Sequence, residues 1–306
     1  MIYQNTIWQK RWKTIAKISL NLSILLLIFF LLVKREEEFY SLFNIYFFLI
    51  LPYEYLILFL ISLRIFSLAR LLGYNLSMKD IYLITITTKF YQILFPSLLA
   101  EGVRGIKYFF AGLRNKYDIL FLLIFDRIIG FTTFFLLFLA SAITLKTFHI
   151  DKTMFLLLLL FSFALVLALL NMERIKRAVA HAFDGHIPKK ALILPLTLSL
   201  VAQTSIMLKY FFIFHWIVGL NMDFLHTLYL CSASHLSQIV PISTGLFSIK
   251  DGFLFFILHT ENGEYLKALH LLFVLGSVEF FNGLGGGIIE SIALTRRIMP
   301  HRGDGG

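Results

Sequence analysis

Long apolar runs alternate with short basic ones along most of the chain. A bilayer hydrocarbon core of about 30 Å needs about 20 apolar residues in helical form. Six segments approach or exceed that length: Ile15–Val33, Ser41–Leu63, Tyr117–Leu145, Met154–Leu170, Leu192–Val218 and Leu266–Ala293. The first lacks a small-residue cleavage site and runs into Lys34-Arg35-Glu36-Glu37-Glu38, so it reads as a signal anchor, not a cleaved leader. Two further apolar stretches are interrupted. Ile81–Phe110 is broken at Phe95-Pro96-Ser97 and carries Lys89, Glu101, Arg104 and Lys107. Leu225–His259 is broken at Pro241-Ile242-Ser243-Thr244-Gly245 and carries Lys250 and Asp251. Proline stops a helix and Ser or Thr caps the next one. Each stretch therefore predicts two short helices, of about half a crossing or a little more.

Basic residues choose between full spans and re-entrant hairpins, because Lys and Arg collect in cytoplasmic loops. With the N-terminus inside and both interrupted stretches as hairpins, most of the 28 basic residues fall inside, Arg64, Arg70, Lys79, Arg104 and Lys107 among them. Lys89, Arg127, Lys209 and Lys250 are left within the membrane. The first hairpin then enters from the inside and the second from the outside. The expected fold is all-α: a polytopic helical membrane protein of about six full spans plus two oppositely oriented re-entrant helical hairpins. It is one transmembrane domain over residues 1–306, with pseudo-repeats at about 41–170 and 192–295. The tails, 1–14 and 298–306, are expected to be cytoplasmic. Such inverted repeats are a common transporter plan with a midplane site.

Composition agrees. Hydrophobic residues make up 58% of the 306 and charged residues 15%, against about 45–50% and about 25% in an ordinary soluble domain. That balance excludes disorder and a secreted disulfide scaffold. No stretch of mixed composition reaches the roughly 100 residues of a soluble catalytic domain. The net charge of +10 follows from the one-sided basic loops and does not call for nucleic acid. Cys231 is the single cysteine, so no intrachain disulfide forms.

Charge inside the membrane carries the candidate chemistry, since each such residue costs about 2.5–3.5 kcal/mol on insertion scales unless paired or wet. Asp126-Arg127 lies ten residues into the third span, about 15 Å deep. Adjacent helical residues point about 100° apart, so each seeks a partner elsewhere. Charge balance allows Arg104 with Asp126 and Glu101 with Arg127; a purely structural ion-pair lock is the competing reading. Ser97, Ser243 and Thr244 stand where helices are expected to begin. Free N–H groups there suit phosphate, unless the hydroxyls merely cap the helices. Lys250 and Asp251 follow the second tip, and Glu54 and Glu279 are further candidates to line a cavity. His235 reads as a hydrogen-bonded interior histidine, and Gly283-Leu284-Gly285-Gly286-Gly287 as close helix packing, not a nucleotide loop. The sequence suggests no metal cluster, no cofactor motif and no catalytic residue.

Three stretches carry a resemblance: Ala69-Arg70-Leu71-Leu72-Gly73, Phe95-Pro96-Ser97-Leu98-Leu99-Ala100-Glu101-Gly102-Val103-Arg104, and Phe125-Asp126-Arg127-Ile128-Ile129-Gly130. Together with Pro241-Ile242-Ser243-Thr244-Gly245 leading to Lys250-Asp251, the chain resembles the transmembrane region of the lysylphosphatidylglycerol synthase (flippase-like) family over roughly residues 10–297. It departs in having Leu246, Phe247 and Ser248 where that family has glycines, and Asp251 for a glutamate. The resemblance implies lipid translocation. The family's soluble aminoacyltransferase domain is expected to be missing, since the chain ends at Gly306.

The leading expectation is a non-enzymatic lipid transporter or flippase of the inner or plasma membrane, working by alternating access as the two halves rock. It would move a phospho- or polyprenyl-lipid headgroup through a midplane polar cleft. Arg104, Arg127 and Lys250 would meet phosphate, with Glu101, Asp126 and Asp251 holding those cations or meeting a cationic headgroup. The alternatives are an accessory membrane subunit of a separate lipid- or envelope-glycan-modifying enzyme, and an intramembrane lipid transferase.

Overall fold

Helix α1, Ile45–Leu71, is apolar around its whole circumference, as expected of a helix surrounded by lipid and other helices. A computed structural model describes residues 45–145, 192–239, 248–262 and 265–298. The expected spans Ile15–Val33 and Met154–Leu170, both tails and the Ser243-Thr244 tip lie outside the described residues. Pro52 is accommodated inside α1. The helix ends where Gly73, at φ 76°, adopts the left-handed conformation; the Gly73 N–H donates to the Arg70 carbonyl and the Tyr74 N–H to that of Ala69.

The next helices follow from their punctuation. Ser77 caps α2, Met78–Leu94, by accepting from the Asp80 N–H at 3.0 Å. Phe95 is extended, at φ −131° and ψ 152°, because the residue before a proline avoids helical geometry. Pro96 then leads α3, Ser97–Phe110. Helices α4, Lys116–Leu145, and α5, Ile193–Phe212, come next, and α5 continues as a wide π turn over Ile213–Ile217. Asp223 caps α6, Phe224–Leu236, which runs into a 3-10 turn, Ser237–Ile239. Helices α7, Ile249–Asn262, and α8, Tyr265–Ile298, complete the described chain.

All regular structure among the described residues is helical apart from an isolated bridge residue at Ser248. Four segments are long and apolar enough to cross a membrane: Ile45–Leu71, Lys116–Leu145, Ile193–Ile217 and Tyr265–Ala293. The architecture is that of a helical membrane protein. Four of the six expected spans thus stand among the described residues, with shifted bounds. The expected limit at Leu63 is corrected: α1 continues for two more turns, taking Arg64 out of the loop assigned to it and into a buried position. The guanidinium finds partners there, so the helix need not end before it.

Both interrupted stretches fold as two helices packed on each other, α2 on α3 and α6 on α7. At 17 residues α2 is about 25 Å long, more than half a crossing. The most extensive packing joins α2 to α8, α4 to α6 and α1 to α5. The α2–α8 contact depends on glycine. A side chain at Gly286 would lie 2.6 Å from the Ile86 carbonyl oxygen, and one at Gly283 would collide with Ile93. The glycine run is a packing seam, as the sequence indicates.

Buried side chains divide into two apolar clusters. One gathers Ile65, Leu68, Tyr108 and Leu122; the other Phe47, Phe134, Phe214 and Leu254. On α1, Glu54, Ser62 and Arg64 are buried between the two sets. This polar band holds the candidate site.

Candidate functional site

Asp126 projects from α4 into that band and is 3% exposed. Its Oδ1 accepts from Arg64 on α1, at 2.8 Å from Nε and 2.7 Å from Nη2. Its Oδ2 lies 3.5 Å from Nη2 of Arg104 on α3. Arg64 also donates through Nη1 to Ser199 Oγ on α5 at 3.1 Å, and Ser199 shares a 2.7 Å hydrogen bond with Thr133. Gly130, one turn beyond Asp126, leaves room for this: a Cβ there would stand 3.3 Å from Arg64 Nη1.

Glu101, one turn before Arg104 on α3, gathers the other two arginines. Arg104 Nη1 is 3.3 Å from Oε2, and Arg127 Nη2 is 2.7 Å from Oε1. Both cross-helix pairings expected from charge balance, Arg104 with Asp126 and Glu101 with Arg127, are present. Arg127 differs from its neighbours in exposure: its side chain is 43% accessible, against 8% for Arg104. These five charged groups line a cavity of about 190 Å³. Three guanidiniums face two carboxylates, which leaves one positive charge over.

Lys89 on α2 lines the same cavity from another side. Its Nζ is 3.1 Å from Glu279 Oε2 and 3.9 Å from Glu54 Oε1, and Glu54 Oε2 accepts from Lys209 at 2.7 Å. Glu54 and Glu279 stand behind Lys89 and do not form the cavity wall. Ten residues of α1 separate Glu54 from Arg64, about 15 Å along the axis. The ionised groups therefore form two layers at different depths.

The remaining expected residues are placed elsewhere or lie outside the described residues. Asp251 turns back on the start of α7, where Oδ2 accepts from the Ser248 N–H and hydroxyl, both at 2.8 Å. Lys250 lies over the Tyr210 ring, 5.8 Å from its centroid. Neither belongs to the cavity wall. Helix α3 begins at Ser97 behind Pro96; the Ser97 side chain, Ser243 and Thr244 are outside what is described. His235 donates through Nδ1–H to the Cys231 carbonyl, 2.8 Å away, and stacks on Phe134, which makes it an interior histidine.

Sequence reasoning misses Arg64, because it directly follows an apolar run ending at Leu63 and reads as a loop residue. It also misses Lys107, whose Nζ donates to Glu290 at 2.6 Å and to Thr87 at 2.7 Å. Gln92, Gln203 and Gln238 escape it too, being uncharged; all three line the cavity. A repeated Gln-Ile shortly before each proline, in Gln92-Ile93-Leu94-Phe95-Pro96 and Gln238-Ile239-Val240-Pro241, is the signal that could have found two of them.

No protein-family model, no curated protein and no solved structure matches this chain.

Proposed function

We propose that the protein is a lipid transporter of flippase type, moving a phosphate-bearing headgroup across a cell membrane through the arginine cavity. The observation that carries this reading is the excess guanidinium charge held inside an apolar helical bundle. Ionisable groups inside a membrane protein are costly to bury, and they recur along substrate and ion paths. Arg127 is the group best placed to reach an incoming anion, since it is the exposed member of the set. Arg104 follows, because its 3.5 Å contact to Asp126 is long for a charged pair. Glu101 holds both arginines when no anion is present and yields them when one enters.

In this reading the two broken stretches are re-entrant hairpins of opposite sense within about six spans. Both termini face the cytoplasm, and the membrane is the inner or plasma membrane. The partner is the lipid itself, with a separate lipid-modifying enzyme upstream or downstream. Headgroup passage through the cavity would leave the acyl chains in the bilayer.

The test is reconstitution of the full chain in liposomes carrying acyl-labelled anionic lipids, followed by the rate at which inner-leaflet label becomes accessible. Wild type should accelerate exchange, and Arg127→Gln and Arg104→Gln should abolish it with the protein still monodisperse. Absence of exchange for every anionic lipid, with and without a proton gradient, would transfer the case to an accessory subunit.

A further inference from the structure

Three carboxamides on the cavity wall have no hydrogen-bond partner among the described residues: Gln92 on α2, Gln203 on α5 and Gln238 in the turn after α6. Gln203 is 4% exposed, and its carbonyl oxygen is buried without a hydrogen bond. Buried amides are otherwise almost always satisfied. The cavity also carries Thr88, whose hydroxyl hydrogen is committed to the Ile84 carbonyl at 2.6 Å and whose oxygen lone pairs stay available.

The glutamines are not scattered. Gln92 and Gln238 each precede an isoleucine and then the proline that breaks their stretch. The two interrupted stretches thus bring like side chains to one cavity, and α5 adds the third. A phosphate alone can accept from the amide N–H groups but offers nothing to the amide oxygens, of which that of Gln203 is buried without a hydrogen bond. A primary amide offers two donors and an acceptor. Its complement is a group that both accepts and donates, which is the alcohol hydroxyl. A choline headgroup has no donor, and an ammonium headgroup brings positive charge to a cavity that already has an excess of it.

We infer that the cavity selects an anionic headgroup bearing free hydroxyls, a polyol or sugar phosphate. Its phosphate lies at Arg104 and Arg127, and its hydroxyls lie on Gln92, Gln203 and Gln238. This rests on the lipid-transport reading and names the substrate class of that site. The cavity, about 190 Å³, has room for several water-sized groups and so for a small polyol phosphate.

The experiment uses the full chain in phosphatidylcholine nanodiscs and liposomes with acyl-labelled phosphatidylglycerol, phosphatidylinositol and phosphatidylmethanol. The last carries the same phosphodiester charge without a hydroxyl. Binding to the nanodiscs and movement across the liposomes are measured separately. Wild type should favour the glycerol and inositol lipids over phosphatidylmethanol by about tenfold or more. That ratio should fall roughly three- to tenfold for each hydrogen bond removed in Gln92→Leu and Gln238→Leu, whose parent side chains are partly exposed and whose loss leaves no core cavity. Equal binding of all three lipids, or an unchanged ratio in both variants, overturns the inference. Selective binding without movement keeps it and removes the transport reading. Glycerol 3-phosphate is the control for source. Displacement of bound phosphatidylglycerol by the lipid-free ester at equal concentration would move the site from lipids to soluble polyol phosphates and overturn the lipid assignment.

Discussion

Arg64 and Asp126, 62 residues apart in sequence, meet through two guanidinium nitrogens on a single carboxylate oxygen, at 2.8 and 2.7 Å. The other oxygen is left to Arg104 at 3.5 Å. One carboxylate therefore serves two arginines unequally. Arg64 is fixed by Asp126 and by Ser199, and ties α1, α4 and α5 together. Arg104 is held more loosely, by one long contact on Asp126 and one on Glu101.

Arg64→Leu should cost the fold. Asp126 would keep a buried charge with only the long contact to Arg104, and losing one partner of a buried pair costs about 3–5 kcal/mol. The variant should lose its monodisperse peak in detergent gel filtration. Arg64→Leu with Asp126→Leu should recover much of it, because replacing both partners by apolar groups leaves no orphan charge. A double variant as unstable as the single would sink this account.

Glu54 and Lys209 should be coupled in the same way. They are 3% and 4% exposed and lie 2.7 Å apart. A double-mutant cycle with Glu54→Gln and Lys209→Met should give a coupling of about 1–3 kcal/mol, read from denaturation in detergent. Lys89, 3.9 Å from Glu54, limits the penalty of removing Lys209 alone.

Glycines in this chain should divide sharply. Gly286→Ala places a methyl 2.6 Å from the Ile86 carbonyl and pushes α8 off α2, with an expected loss of about 1–3 kcal/mol. Gly102→Ala in α3 meets nothing within 4 Å and should gain about 0.5–1 kcal/mol through helix propensity. Thermal unfolding of the two proteins side by side decides the point.

Acid should loosen the start of α6. The Asp223 carboxyl, outside the spans, is held below its ordinary value of 3.8, mainly because it accepts from the His226 N–H at 2.7 Å. A depressed folded-state value means that the stabilisation is complete above pH 3.8 or so. It disappears as pH falls through the lower, folded value. Asp223→Ala should lose about 0.5–2 kcal/mol near neutrality, and Asp223→Asn much less. Between neutral pH and pH 3 the gap between wild type and Asp223→Asn should close; a constant gap would show that the charge plays no part.

Much of this architecture is legible in the sequence. Hydropathy locates the four helices long and apolar enough to cross a membrane among the described residues, because a helix in lipid needs an unbroken apolar length. Pro96 locates the break between α2 and α3, because the preceding residue must leave helical geometry. Glu101, Arg104, Asp126 and Arg127 are conspicuous, since unpaired charge in lipid is costly and four such residues in two stretches must answer one another. Arg64 is not legible. One residue beyond an apolar run, a buried arginine and a loop arginine look the same until its partner 62 residues away is known. Asp251 misleads for a related reason: an acidic residue near a helix start either meets a ligand or caps its own helix, and here it caps. The glutamines carry no charge to draw attention, although the Gln-Ile repeat before each proline is plain in the sequence.

The main packing surfaces bear on how the bundle can move. Each of the three largest joins a helix of residues 45–145 to one of residues 192–298: α1 with α5, α2 with α8, α4 with α6. The two halves of the described chain are meshed like the teeth of two combs. A cycle that rocks one against the other as rigid blocks would have to unmesh all three contacts, the glycine seam included. Helices α3 and α7 pack chiefly within their own halves, and α3 is fastened across the divide by the Lys107–Glu290 pair. An ion pair parts and re-forms with the turn of a side chain, whereas a backbone seam does not. Since α3 also carries Glu101 and Arg104, this part of the cavity wall belongs to a helix tied to the opposite half by an ion pair, while the helices around it are joined across the divide by broad packing.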